Sequence, residues 1–195
     1  MAYQIYITDA LVCGSKHHNT ADKNYLLFTR ELGMLWATAR SVREERSKQR
    51  YALQDFSLIR VSLVRGKTGW RVGSTEAIEN PFMAAIGRQA RGGVTYLLKQ
   101  LRRYVHGEQP LVGTFDDMVT ALNAIAALED VFAITAWQNV TMTRLLHSLG
   151  YVAASATLRN LITASTASAA LVAYSASMEG EIERLVAQAG EVSHL

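Results

Sequence analysis

The chain has 195 residues, 49% apolar and 19% charged, which suits one large domain or two small ones with a buried core. Its single cysteine, Cys13, excludes an intrachain disulfide and a Cys-rich zinc site. The net charge of +3 is unevenly spread: residues 1–78 hold twelve Lys and Arg against seven Asp and Glu, and the remainder holds eight against ten. Polyanion contact therefore belongs to the first part.

The amino terminus lacks a basic region and a long apolar run, so no signal peptide is expected. Residues 3–12 mix β-branched and aromatic side chains and predict a strand ending in a polar stretch from Gly14 to Asn24. Residues 25–29 and 34–39 are short apolar runs around Arg30-Glu31-Leu32-Gly33, a hairpin signal. Residues 40–50 read as a polar, basic segment with no apolar face. Ile59, Val61 and Leu63 then alternate with Arg60, Ser62 and Val64, and residues 66–69 form a turn before a last strand over 70–77. Five short strands without a helix to cover a sheet predict a small closed barrel, the OB-fold being the candidate.

At Asn80-Pro81 the pattern becomes helical, with Asn as N-cap and Pro at the first helical position. Gly92-Gly93 reads as a break between helices. Residues 94–106 place Val94, Leu97, Leu98, Leu101, Tyr104 and Val105 on one stripe. A loop over 107–113 precedes a capping-box pattern at residues 114–117, which opens an Ala- and Leu-rich helix. Residues 131–149 predict another helix, ended by Gly150. Residues 160–178 carry no charge but are too rich in Ser, Thr and Ala for a membrane span, and a short charged helix is expected over 179–188. The expected fold is α+β: a five-stranded OB-fold barrel over residues 1–79, then an all-α helical domain over 80–195, in a cytoplasmic protein.

Arg40, Arg43, Arg46, Lys48 and Arg50 place five cations within eleven residues, between two strands that also carry Arg60, Arg65, Lys67 and Arg71. Such a surface gains sequence-independent affinity for nucleic acid by releasing condensed counterions. Trp36, Tyr51, Phe56 and Trp70 could stack on bases, but packing in the core is the favoured reading of each. His17-His18 has no partner at ligand spacing, so a polar loop and no metal are expected. Cys13 reads as a small buried side chain. No phosphate-cradling glycine motif, nucleophile elbow or forced carboxylate pair is present, so neither enzymatic chemistry nor a cofactor is expected. From the residues alone, an RNA-binding barrel protein and a protein-interaction module remain open beside a DNA-binding protein.

Several motifs resemble, in order, those of the recombination mediator family RecO. Residues 28–34 (FTRELGM) resemble a hairpin of that family, and 37–43 (ATARSVR) are similar to the step into its basic loop. Residues 53–58 (LQDFSL) and 69–77 (GWRVGSTEA) resemble the approach to its fourth strand and its closing strand. Residues 96–104 (YLLKQLRRY), 115–128 and 145–151 (LLHSLGY) fall where its helices carry similar runs. Asp55 stands where the family usually has Pro, residues 40–42 lack its usual Gly, and no four-cysteine module follows residue 151, as in a short, zinc-lacking member. The resemblance implies binding and annealing of single-stranded DNA, and loading of the strand-exchange protein RecA onto DNA coated by the single-strand-binding protein SSB, together with RecR. It also implies a pocket in the helical part for the acidic, apolar tail of SSB, which Lys99, Arg102 and Arg103 could edge.

Overall fold

The computed structural model describes residues 4–165, 167–175 and 178–192; Tyr3, the expected start of the first strand, lies outside them. Five strands, β1 (Ile5–His17), β2 (Lys23–Thr29), β3 (Gly33–Ala39), β4 (Leu58–Gly66) and β5 (Gly69–Glu79), close into a barrel in the order β1-β2-β3-β5-β4. All pairings are antiparallel except the short β3–β5 contact, Ala37 opposite Trp70 and Thr38 opposite Arg71. This is the OB-fold expected from the strand pattern.

β1 is longer than its sequence suggested, because Gly14 does not end it. The ladder to β2 shifts register between Val12 and Gly14, so the chain bulges and bends. One strand thereby pairs with β4 through residues 5–11 and with β2 through residues 10–17. Cys13 sits at the bulge and is buried. Ala10, Val12, Tyr25, Leu27, Leu35, Ala37, Ile59, Val61, Leu63 and Trp70 form the barrel core. The β2–β3 hairpin needs Gly33 for two reasons: its φ is +75°, and a Cβ there would stand 2.3 Å from the Gln109 carbonyl oxygen. Thr29 fixes the turn, its hydroxyl donating to the Gly33 carbonyl at 2.9 Å and accepting from the Leu32 N–H at 3.0 Å.

The chain divides into two compact units, and residues 106–112 group with the barrel. The other unit is helical, with α2 (Pro81–Ala84) beginning at the unit border, then α3 (Arg88–Tyr104), α4 (Val112–Ala126), α5 (Val131–Ser148), α6 (Arg159–Thr163), α7 (Ala169–Ser175) and α8 (Glu179–Val192). The expected stripe is the buried face of α3: Val94, Leu97, Leu98, Leu101 and Tyr104 are all 5% exposed or less. Burying each such leucine or valine contributes about 1.5–3 kcal/mol. No helix among the described residues is long and apolar enough to cross a membrane.

Three local expectations are corrected in this unit. Gly92-Gly93 does not break a helix but lies inside α3; a Cβ on Gly93 would stand 2.8 Å from methyl groups of Ile125 and Ile134, so the bare glycine lets α4 and α5 approach. The pattern at 114–117 does not cap α4, which starts earlier at Val112. Thr114 instead shares a 3.0 Å hydrogen bond with Ser148. Asp117 is buried, paired with Arg144 at 2.6 Å and accepting the Ala167 N–H at 2.8 Å. α5 follows expectation at both ends, with Asp130 accepting from the Phe132 and Ala133 N–H groups and Gly150 at φ +81°. α8 extends past the expected end at residue 188.

Candidate nucleic-acid interface

The sequence shows no apolar face over residues 40–50, and the structure corrects this. Val42 is 2% exposed and belongs to the barrel core, with Ala52 at the end of the single-turn helix α1 (Gln49–Ala52) and Leu53 just after it. Polar bonds fasten the segment to the β1–β2 turn. The Ser41 N–H donates to an Asp22 carboxylate oxygen at 2.8 Å, and the Arg43 N–H donates to the Ala21 carbonyl at 3.1 Å. The Arg43 guanidinium donates to the Asn19 carbonyl at 3.2 Å. Asn19 shapes this turn, its side-chain oxygen accepting from the N–H groups of Ala21 and Asp22. The Ser41 N–H, then the Asn19 amide, then the nearby charges of His18 and Arg40 hold the Asp22 carboxyl below the usual aspartate range. Ser41 itself takes a left-handed φ of +50°.

Anchoring one apolar residue while the rest stays polar turns the cations outward. Arg40, Arg43, Arg46 and Lys48 are exposed and Arg50 is half-buried. Arg43 and Arg50 come together on a cleft of about 510 Å³, which His17 and Lys23 from β1 and β2 also line. Asp55 is the one carboxylate in its lining. Tyr25 also lines the cleft, with the Lys23 ammonium 5.4 Å from its ring centre. Burial, and secondarily the charge of Asp55, push the Tyr25 hydroxyl pKa up, so it stays a neutral donor. Arg50 stacks on Tyr51 at 4.8 Å and donates to its hydroxyl at 2.8 Å.

The outer face of the sheet carries a second cluster. Ladder register aligns Lys16, Asn24, Thr38 and Arg71 in one row across β1, β2, β3 and β5. The Thr38 hydroxyl donates to the Asn24 side-chain oxygen at 2.8 Å in the middle of that row. Two residues back along β3, Trp36 is 42% exposed, with the Lys16 ammonium 4.3 Å from its ring centre. Trp36 and Tyr51 are thus surface residues, against the core packing expected for them, whereas Trp70 is buried and Phe56 half-buried. The outward position follows from pleating, since Leu35 and Ala37 on either side of Trp36 face the core.

The remaining sequence-derived cations are placed differently. Arg60 is paired with Asp9 at 2.9 Å across the β1–β4 ladder. Arg65 is paired with Glu108 and lies 4.8 Å over the Trp70 ring. Lys67 is exposed in the β4–β5 turn, and the guanidinium of Arg71 lies against Gly66, where a Cβ would come within 2.8 Å of it. In the helical unit, Lys99 and Arg102 are exposed, while Arg103 is half-buried with its guanidinium 5.4 Å from the Tyr104 ring centre. His18 shares a 3.4 Å contact with the Asn24 amide, and no group of His, Cys, Asp and Glu among the described residues could hold a metal. Sequence reasoning missed Lys16, His17 and Lys23. Ser15-Lys16-His17 are three polar residues in a row with no alternation to mark a strand, so the extension of β1 past Gly14 carries no local signal.

The family model described as Recombination protein O N terminal matches residues 1–80. Two curated relatives, each named DNA repair protein RecO and from two strains of Desulfitobacterium hafniense, are 38% identical to this chain over 64 residues. That stretch is 33% of this chain and 23% of each relative's length. The matched residues take in all five strands, the basic segment and the exposed Trp36, so this amino-terminal domain is similar to that of RecO proteins, while the match spans under a quarter of the relatives' length.

Proposed function

We propose that the protein is a mediator of DNA repair and recombination. It binds single-stranded DNA on the barrel, brings complementary strands together for annealing, and helps load RecA onto SSB-coated DNA with RecR. The observation that carries the DNA-binding part is that one hairpin, β1–β2, contributes to both cationic surfaces of the barrel. His17 and Lys23 meet Arg43 and Arg50 at the cleft, and Lys16 covers Trp36 beside Arg71 on the sheet. Cations for phosphates beside an exposed indole for bases suit a flexible strand read without sequence preference. The two names given to the relatives support the repair role.

The mediator role is tested by the DNA-dependent ATPase of RecA on single strands already coated with SSB. Adding this protein with RecR should shorten the lag before ATP hydrolysis. No change in lag at any protein concentration, with single-strand binding intact, would reject the loading role and leave only the binding.

A further inference from the structure

We propose that the exposed face of α3 is a second nucleic-acid contact, which takes the phosphate backbone of a second strand while the barrel holds the first. The proposal rests on the reading of the barrel as a single-strand binder. α3 carries Arg88, Arg91, Lys99, Arg102 and Arg103 and no carboxylate. From residue 82 to the end, these are five of the eight Lys and Arg, and all nine Asp and Glu lie elsewhere. The concentration is local, within a region whose remaining charge is acidic.

Steps of three, eight and three residues place Arg88, Arg91, Lys99 and Arg102 on one side of the helix, opposite its buried leucines. At a rise of about 1.5 Å per residue the row runs for roughly 21 Å. A cavity of about 430 Å³ opens on this face between Phe82 and the cations Arg88, Arg91 and Lys99, with Tyr96 beside them and no carboxylate in its lining. Gly92 leaves its middle bare, because nothing lies within 4 Å of where its Cβ would stand. Arg88, Lys99 and Arg102 make no ion pair among the described residues, and Arg91 lies 6.0 Å from the Phe82 ring centre.

The helix dipole separates cations that help the fold from cations that do not. Arg102 and Arg103, in the last turn, face the negative end of the helix and stabilise it without a ligand. Arg88 and Arg91 stand in and beside the first turn, where the N–H groups are already positive. Gly87 offers no side-chain cap there, and no acidic residue offsets the charge. A bound anion reverses that cost. A long row of cations with aromatic rings at one end matches a polyanion of regular charge spacing. The acidic peptide tail implied for Lys99, Arg102 and Arg103 would fill the cavity but leave Arg102, which does not line it, unengaged.

The test uses the full chain and two non-complementary oligothymidine-type strands, one labelled with a fluorescence donor and the other with an acceptor. The wild type should hold both strands at once and give energy transfer. Replacing Arg88, Arg91, Lys99 and Arg102 with alanine should change the affinity for one strand less than about twofold. The salt dependence of the second binding should become shallower by about 0.7 per lost contact, roughly 3 units in all. If the quadruple variant does not fold, Arg88→Gln with Lys99→Gln, both at exposed positions, carries the same test. Unchanged co-occupancy in a folded variant overturns the proposal, as does an Asp-rich peptide whose binding is lost in the variant while the second strand still binds. A wild type that binds one strand but never two overturns this proposal alone. A wild type that binds no strand overturns the barrel reading with it.

Discussion

Arg144 of the helical unit and the basic segment of the barrel put their cations to opposite uses. In the helical unit Arg144 is 9% exposed and its donors are committed: Nε to Asp117 at 2.6 Å and a terminal nitrogen to the Leu161 carbonyl at 2.6 Å. In the barrel unit Arg46 and Lys48 reach solvent with no ion pair among the described residues, and Arg43 is tied only to a turn carbonyl. A buried guanidinium must be paired, because removing it from water otherwise costs several kcal/mol. An exposed one carries no such requirement and remains available to a polyanion. The cations that the fold leaves uncommitted are therefore the place to look for function.

Breaking the committed side gives the largest expected effect. Arg144→Leu should lower the free energy of unfolding by about 3–5 kcal/mol, because Asp117 is left charged and buried. Urea denaturation measures it, and adding Asp117→Leu should restore much of the loss. A double variant as unstable as the single would show that shape rather than charge holds this site. DNA affinity should not follow these changes. Gly93→Ala in the same unit should cost about 1–3 kcal/mol by overpacking against Ile125 and Ile134. A variant as stable as the wild type would mean that the two isoleucines yield.

On the uncommitted side, Trp36→Ala should weaken single-strand binding by about 1–3 kcal/mol through lost stacking, with little change in the thermal transition. The wild-type indole fluorescence should also be quenched by an oligonucleotide. Equal affinity in the variant would leave the sheet face without a role and confine binding to the cleft.

Much of this division was legible in the sequence. The alternation of Ile59, Val61 and Leu63 marked β4, Gly33 marked the hairpin, and the stripe of Val94, Leu97, Leu98 and Leu101 marked the buried face of α3. What stayed hidden depended on partners distant in sequence. Nothing local tells that Gly93 faces residues 125 and 134, or that Asp117 meets Arg144 rather than capping α4. The bulge at Cys13 hid the end of β1, and with it Lys16 and His17. The exposure of Trp36 needed the strand register, which its hydrophobicity alone contradicts.

The smallest expected effect concerns the turn that steadies the basic segment. The Asp22 pKa is lowered in the fold, so its bonds to Ser41 and Asn19 contribute above the unfolded-state value and are lost as pH falls through the folded one. An NMR titration of the Asp22 carboxyl should show a midpoint below the ordinary aspartate range. A midpoint at or above that range would mean that the segment is not held by this turn.

The salt dependence of single-strand binding tests the central claim most directly. Wild type and a variant with Arg43, Arg46, Lys48 and Arg50 replaced by alanine are titrated with an unstructured oligonucleotide from low to moderate salt. The variant should keep its thermal transition, bind more weakly, and lose about 0.7 of slope per phosphate contact removed, up to roughly 3 units. A folded variant with the affinity and salt slope of the wild type would contradict the account, because the uncommitted cations would then be solvated surface and nothing more.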